Sequence, residues 1–564
     1  MVRTLAELQP VSLSTQSITA IRTGTWKYVE PLYLDKLPPC SHLCPAGNDI
    51  SKFLSLTAQG DIESAARLIR SGNPLPATLG RVCPHPCESQ CNRVQMGGAI
   101  AIHMMERFLG DESLGEKFVP SPAASAGKRV AVIGAGPAGL AAAYNLALQG
   151  HAVQVFDDKA APGGYLRTGI PDYRLPREVL DREIDLIRAM GVAFKSNFRV
   201  GRDAAFAELR QQFDAIVLAI GFHRNRALDV PGENNPGVYN GVQLLERILS
   251  GGRPDGIRRP AIVGGGNTAM DAARSLLRTG ATPIVVYRRT RAEMPAIPAE
   301  VDEAVAEGIP FHFLTAPVRV VIEDGRVTGL SCIRMTLGDP DSSGRRRPLP
   351  VAGSEHVVPC DSVVTAIGET TDLDDFPEEL REGWRIAGDE RLATSLPGVF
   401  GAGDAIDGGG TVTAAVGCGR RVADVVNAFL VGHDLPVRAP RVTDLWRRGL
   451  DRDHVSYFDQ LNTAYLRPEL RPEIVELPPA GRTGSFAEVV QSFTSPAALA
   501  EARRCFVCGT CNECHNCYYF CPDVAIHKRR GELGFDIDSD HCKGCGVCVE
   551  ECPRDAMVLV EVGR

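Results

Sequence analysis

The sequence predicts an α/β protein with two Rossmann-like nucleotide-binding domains, an N-terminal helical segment and a small, cysteine-rich C-terminal domain. Three observations carry that reading. A strand, a glycine-rich turn and a helix follow one another twice, beginning at Lys128 and at Arg259. Ten cysteines crowd into a ladder between Cys505 and Cys552. Five more, Cys40, Cys44, Cys83, Cys87 and Cys91, punctuate the first segment. With 564 residues, 44% hydrophobic and 57 Gly, the chain has room for three or four such domains.

Composition removes several classes of function. A net charge of -8 leaves no electrostatic footprint for DNA or RNA, so nucleic acid is not an expected partner. The first residues lack a basic stretch followed by an apolar one, and nowhere do about 18 apolar residues run together. A cytoplasmic protein without membrane insertion is expected. The chain has eighteen cysteines, and the clustered C-x2-C spacing among them, without a secretion signal, points to metal ligation rather than disulfides.

The elements follow in order. Residues 1–127 are expected to be a helical segment, with Asp61 as an N-cap and Ile62, Ala65, Ala66, Leu68 and Ile69 as a packing stripe that ends at Gly72 and Pro74. A Ser-Pro-Ala linker near 121–126 leads into the buried strand at 128–134. One nucleotide-binding domain is assigned to 128–232 and 388–432, interrupted by a second at 233–387. Ala215–Gly221 and Ser362–Gly368 read as matched strands that close each half. Residues 433–500 are a Pro- and Arg-rich connection, with short helices expected around 486–493 and 497–503. Residues 501–564 form the cysteine-rich domain.

Within the ladder, C-x2-C-x2-C-x3-C-P occurs twice, at Cys511, Cys514, Cys517, Cys521 and at Cys542, Cys545, Cys548, Cys552. This is the spacing with which bacterial ferredoxins hold two [4Fe-4S] clusters, the fourth cysteine of each run ligating the other cluster. Cys511, Cys514, Cys517 and Cys552 are therefore assigned to one cluster, and Cys521, Cys542, Cys545 and Cys548 to the other. A chain so equipped moves single electrons.

Two nucleotide sites can be read from the turns. Gly134-Ala-Gly136-Pro137-Ala138-Gly139 follows a strand and opens a helix, where backbone N–H groups can approach a pyrophosphate. The next strand ends at Asp157, placed to accept ribose hydroxyls, with Asp158 as the alternative. Downstream, Gly401-Ala-Gly403-Asp404 and the approach to Thr413 complete a site suited to FAD. The second turn, Gly264-Gly265-Gly266-Asn267-Thr268-Ala269, lacks a ribose acid after its next strand and carries Arg288, Arg289 and Arg291 there instead. Arginine accommodates a 2'-phosphate, favouring NADP(H) over NAD(H). Cys332, Cys360 and Cys418 stand singly, so no dithiol serves the flavin, and the iron-sulfur centres are its expected outlet.

These residues resemble the small-subunit family of glutamate synthase, shared with the N-terminal half of dihydropyrimidine dehydrogenase. The resemblance rests on Cys40-Ser-His-Leu-Cys44-Pro45, Gly80-Arg-Val-Cys83-Pro84, the run from Pro162 to Pro176, Val286-Tyr-Arg-Arg289 and Gly401-Ala-Gly-Asp404. It implies the disulfide-oxidoreductase arrangement of an FAD and an NADP domain behind an N-terminal Fe-S domain. The tail is similar to the delta subunit of 2-oxoacid:ferredoxin oxidoreductases. By the same resemblance Gly164 and Arg167 also serve the flavin nucleotide. Cys44, Cys83, Cys87 and Cys91 match an all-cysteine cluster, with zinc as the alternative metal. The family's other cluster begins with a C-x2-C pair that this chain lacks upstream of Cys40. Arg504-Cys505-Phe-Val-Cys508-Gly resembles the missing pair, and Glu106 matches a carboxylate or amide ligand. A cluster on Cys40, Cys505, Cys508 and Glu106 would staple the two ends of the chain together. Three [4Fe-4S] clusters are thus expected, and four with the staple.

The expected function is an NAD(P)H-dependent iron-sulfur flavoprotein, the electron-transfer subunit of a larger oxidoreductase of glutamate-synthase or 2-oxoacid-oxidoreductase type. No side chain is required as an acid, base or nucleophile, because the cofactors carry the chemistry. Its partners would be separate catalytic subunits or a ferredoxin. The alternatives are a stand-alone NADPH:ferredoxin oxidoreductase and a non-catalytic Fe-S scaffold.

Overall fold

Helices 76–82 and 102–112 cross so closely that their backbones touch, and this crossing organises the N-terminal unit. A Cβ on Gly80 would stand 2.3 Å from the Arg107 nitrogen, and one on Gly110 would stand 2.3 Å from that of Ala77. No larger residue fits either position. The computed structural model describes residues 22–252, 256–341, 343–434, 451–531 and 534–562. Around the crossing pack Ile50–Ala58 and Ile62–Arg70, the latter capped as expected by Asp61, whose carboxylate accepts from the Ser64 N–H at 3.0 Å. The helix Ser495–Arg503 completes this core, with Ala498 and Ala502 buried against Ile50, Phe53 and Leu54. The N-terminal unit is therefore built from both ends of the chain.

Two five-stranded parallel sheets follow. The first runs Val399–Gly401, Ala215–Leu218, Arg129–Ile133, Ala152–Phe156, Ala193–Lys195. The second runs Phe311–His312, Ile284–Val286, Pro260–Val263, Ser362–Thr365, Val238–Asn240. Ala215–Leu218 and Ser362–Thr365 occupy equivalent places, each beside the strand that enters a glycine-rich turn, Arg129–Ile133 and Pro260–Val263 respectively. An antiparallel group, 315–323, 326–340, 346–350 and 356–359, extends from the second half. Strands of the parallel sheets are buried on both faces, which explains their near-continuous apolar runs.

In the C-terminal domain, Ile526–Lys528 pairs with Phe535–Ile537, and Met557–Glu561 takes an unexpected partner. That partner is Val29–Tyr33, antiparallel and in register from Val29↔Glu561 to Tyr33↔Met557. Residues 23–37 thus lie on the ferredoxin-like domain although the sequence assigns them to the helical segment. Their apolar alternation is too short to reveal a lone strand that borrows its partner from over 500 positions away.

Glu183, on the helix Arg177–Ala189 of the first nucleotide half, anchors the helical unit. It is buried, accepts from the Ala77 and Thr78 N–H groups at 2.7 and 3.0 Å, and pairs with Arg70 at 3.5 Å. The connection after residue 450 is a strap with little regular structure. Glu488 takes Arg81 and Arg107 at 2.7 and 3.0 Å, and the Val489 N–H donates to the Tyr173 carbonyl at 3.0 Å. The helix expected around 486–493 does not form; its backbone is extended, with Val490 bridged to Glu476. Residues 435–450 of the connection lie outside the described residues.

Candidate functional site

A cavity of about 520 Å³ opens between the two nucleotide halves and reaches the helical unit. Gly134 has φ +105°, and a Cβ there would meet the Ala219 carbonyl at 2.3 Å. Beside Gly136 the same test finds open space, the approach a pyrophosphate needs. Gly139 lies under the turn, where a Cβ would strike the Gly134 carbonyl. Pro137 and Ala138 begin the helix 137–148 and line the cavity. Asp157 also lines it. One of its carboxylate oxygens holds the turn through the Ala135 N–H at 2.6 Å, and the other accepts from Lys159 N–H. Gly164, Gly403 and Asp404 complete the wall.

Two residues assigned to this site point elsewhere. Arg167 pairs with Asp181 and donates to the Pro162 carbonyl, outside the cavity lining. Thr413 is buried with its hydroxyl toward the Cys83 thiol rather than the cavity. Both stand in the expected loops, but their side-chain directions are set by tertiary neighbours that spacing does not reveal.

The second turn opens into the same cavity through Asn267 and Thr268. Gly264 adopts φ +150° against the Ala366 carbonyl, while Gly266, the N-cap of helix 267–278, faces open space. Of the three arginines expected at the 2'-phosphate, two are committed within the protein. Arg289 is buried, pairing with Asp341 at 2.6 Å and donating to the Arg346 carbonyl at 2.7 Å. Arg291 pairs with Asp302. Arg288 is exposed and has Arg345 as a like-charged neighbour. The hairpin tip that Arg289 fastens brings up this second arginine, which is remote in sequence.

The cysteines converge in four groups. Cys511, Cys517, Cys514 and Cys552 are mutual neighbours, as are Cys521, Cys542, Cys545 and Cys548. The remaining donors are partitioned differently from the expectation. Cys91 stands with Cys40, Cys505 and Cys508, whereas Glu106 neighbours Cys44 and Cys83, with Cys87 alongside. The reason lies in the helix crossing. Helix 102–112 turns Glu106 inward, where Asn48 and Asn73 donate to its carboxylate at 2.8 and 3.0 Å. The loop after Cys87 meanwhile carries Cys91 toward the C-terminal helix.

Burial pushes these thiols up, to about 11 for Cys44 and Cys505 and about 12 for Cys83 and Cys508. Metal binding must therefore expel their protons. N–H groups already aim at the sulfurs: His85 at Cys83, Asn92 at Cys508, Val507 at Cys505 and Ala525 at Cys521, at 3.3–3.4 Å. Sulfur accepts such bonds well only when electron-rich, so the donor sets fit iron-sulfur clusters.

Comparison with known proteins decides the family. Residues 128–419 match the model "Pyridine nucleotide-disulphide oxidoreductase". The chain belongs to that family. Residues 35–118 match "Dihydropyrimidine dehydrogenase domain II, 4Fe-4S cluster", and 535–558 match "4Fe-4S binding domain". The chain is 40% identical over 504 residues to the NADP(+)-dependent formate dehydrogenase subunit beta of Moorella thermoacetica, covering 83% of this chain and 70% of that one. It is 37% identical over 514 residues to the NADPH-Fe(3+) oxidoreductase subunit beta of Geobacter sulfurreducens, covering 84% and 76%. It is 36% identical over 419 residues to the glutamate synthase [NADPH] small chain of Escherichia coli, covering 70% and 89%. The protein is an oxidoreductase of this pyridine nucleotide-disulphide type, with FAD, NADP(H) and [4Fe-4S] clusters as its cofactors. Among the described residues no helix is long and apolar enough to cross a membrane.

In this oxidoreductase the cavity also contains groups the motifs did not reveal. Tyr165 OH lies 2.6 Å from the Phe222 carbonyl and also meets the Glu369 carboxyl. Burial, followed by the Asp404 charge, holds Glu369 up at about 7, and burial with Asp407 holds Asp404 at about 6. A protonated Glu369 can donate to the phenol while the phenol donates to Phe222. Val82 and Pro84 line the cavity too, so the chain flanking Cys83 forms part of its wall. The signal for Glu369 was its place just after the Ser362–Gly368 segment; for Pro84 there was none beyond adjacency to a ligand.

Proposed function

We propose that the chain is the electron-transfer subunit of a larger oxidoreductase, carrying electrons between NADP(H) and a separate catalytic subunit through FAD and four [4Fe-4S] clusters. When bound, FAD exchanges hydride with the nicotinamide, and the clusters exchange single electrons. The protein's part is to hold these groups in sequence. Gly134, Gly136, Pro137, Ala138, Gly139, Asp157, Gly164, Gly403 and Asp404 would hold FAD. Gly264, Gly266, Asn267, Thr268 and Arg288 would hold NADP(H).

The observation that carries this reading is the spatial order of the thiol groups. The flavin cavity is walled by Val82 and Pro84, which bracket Cys83. Cys44, Cys83, Cys87 and Glu106 would hold the first cluster. Cys87 neighbours Cys40, which belongs to the second set with Cys91, Cys505 and Cys508. The third set is Cys511, Cys514, Cys517 and Cys552, and Cys517 neighbours Cys548 of the last set, completed by Cys521, Cys542 and Cys545. Cys514 and Cys545 are exposed, giving the far end of the series a surface for a partner. The named relatives include beta and small subunits, which supports a catalytic partner subunit here as well. Reduced thiol ligands suit the cytoplasm.

Anaerobic NADPH reduction of a viologen by the purified, FAD- and iron-replete chain tests the activity. No reduction would favour a scaffold. Affinity purification from the native cell with mass spectrometry tests the partner, and recovery of the chain alone would favour a stand-alone NADPH:ferredoxin oxidoreductase.

A further inference from the structure

Arg554 follows Cys552-Pro553 at the junction between the C-terminal domain and the helical unit. Its backbone is fixed there, the carbonyl accepting from the Gly509 N–H at 2.6 Å and from Ser456 Oγ at 3.4 Å. Arg554 is one of the residues lining the small cavity beside Cys511, Cys514, Cys517 and Cys552. The Gly509 contact sets Arg554 against the residue that follows Cys508, so its positive charge neighbours Cys505 and Cys508 across the junction. Nε and Nη1 are buried and have no hydrogen-bond partner among the described residues. Other cations around these thiols are neutralised: Lys36 by Asp555, Lys27 by Glu30, Lys543 by Asp523 and Lys528 by Glu513. Among the described residues no carboxylate pairs with Arg554.

Buried guanidinium nitrogens with unused donors, on a side chain that is otherwise half-buried, are expensive unless something electron-rich faces them. Two electron-rich sites do so on the ligand sets proposed above, on which this inference rests. We propose that Arg554 is a positioning cation shared by two neighbouring [4Fe-4S] sites, that of Cys40, Cys91, Cys505 and Cys508 and that of Cys511, Cys514, Cys517 and Cys552. Arg554 stabilises the extra negative charge that either site carries when reduced. A guanidinium is always protonated, so no proton moves with the electron. One electron leaves one site as it enters the other, and a charge placed between them raises both potentials together. The gap between the two steps is left unchanged while both reduced sites become easier to fill.

The test is a potentiometric titration of the full chain, followed by EPR, with signals assigned through Cys508→Ser and Cys511→Ser variants. In Arg554→Gln, the two flanking signals are expected to move to more negative potential while the others stay. The reduced-to-oxidised ratio at fixed potential should fall about tenfold, which is about 59 mV for one electron. Arg554→Lys keeps the charge and should titrate like the unsubstituted protein. Unmoved signals in the glutamine variant, a shift confined to one signal or common to all, or a lysine variant that shifts as far as glutamine would each overturn the proposal. If the glutamine variant loses iron, the lysine variant decides by holding all clusters at unchanged or at lowered potentials. Fewer than four clusters in the unsubstituted protein would instead refute the ligand sets.

Discussion

Asn92 Nδ2 donates a 3.3 Å hydrogen bond to Cys508 Sγ, joining residues 416 positions apart. The second Asn92 amide hydrogen bond, to the Ser456 carbonyl at 2.9 Å, ties the strap to the same place. The C-terminal C-x2-C pair therefore sits inside the N-terminal unit, with Cys40 and Cys91 as its neighbours.

That placement separates two clusters by their donors. Cys91→Ser should remove the same EPR signal as Cys508→Ser, and Glu106→Ala should remove a different one. If Cys91→Ser instead removed the signal lost in Glu106→Ala, Cys91 would belong with Cys44, Cys83 and Cys87.

Arg288 and Arg289 should behave as different residues despite adjacency. A charge-assisted hydrogen bond is worth about 1.5–3 kcal/mol, so Arg288→Ala should reduce the NADPH-over-NADH preference roughly 10- to 100-fold. Arg289→Ala should chiefly destabilise the hairpin fastened through Asp341 and Arg346. Steady-state kcat/KM for both nucleotides, alongside urea midpoints, distinguishes the two. An Arg288→Ala enzyme with unchanged preference would contradict the assignment.

Glu183 holds the helical unit to the first nucleotide half from a fully buried position. Glu183→Ala leaves Arg70 without its carboxylate and two helix N–H groups without an acceptor. A loss of about 3–5 kcal/mol is expected for breaking such a buried pair. Hydrogen exchange of residues 76–82 should accelerate strongly, and unchanged protection there would refute the anchor.

Glu369 gives the cavity a pH dependence. Its carboxyl rises from the usual 4.5 to about 7 in the folded chain, chiefly by burial. The fold thus favours the neutral form: its contribution is complete below about 4.5 and is lost as pH rises through about 7. Urea midpoints should fall more steeply between pH 5 and 8 in the unsubstituted protein than in Glu369→Gln. Parallel profiles would show that Glu369 does not titrate there.

Much of this was legible in the sequence because local geometry dictates it. The turns at Gly134 and Gly264 need their glycines wherever a strand enters a nucleotide-binding helix, and the two C-x2-C-x2-C runs need their spacing to wrap a cluster. Donor identity was legible as well, since the thiols and Glu106 all come together. Their partition was not, because it depends on which side of the Gly80/Gly110 crossing each loop emerges. Arg167, Thr413 and Arg289 show the same limit. Each stands in the expected loop, but Asp181, Cys83 and Asp341 decide where its side chain goes. The pairing of Val29–Tyr33 with Met557–Glu561 and the position of Arg554 are wholly long-range, and no local pattern marks them.

The most direct measurement is EPR-monitored anaerobic reduction by NADPH of the Cys505→Ser, Cys508→Ser double variant beside the unsubstituted protein. An electron route through the set of Cys40, Cys91, Cys505 and Cys508 predicts that the double variant lacks one cluster's worth of iron. Its FAD and Glu106-side cluster should still be reduced while its ferredoxin-type clusters stay oxidised. Ferredoxin-type signals that appear in the double variant as fast as in the unsubstituted protein would contradict that route.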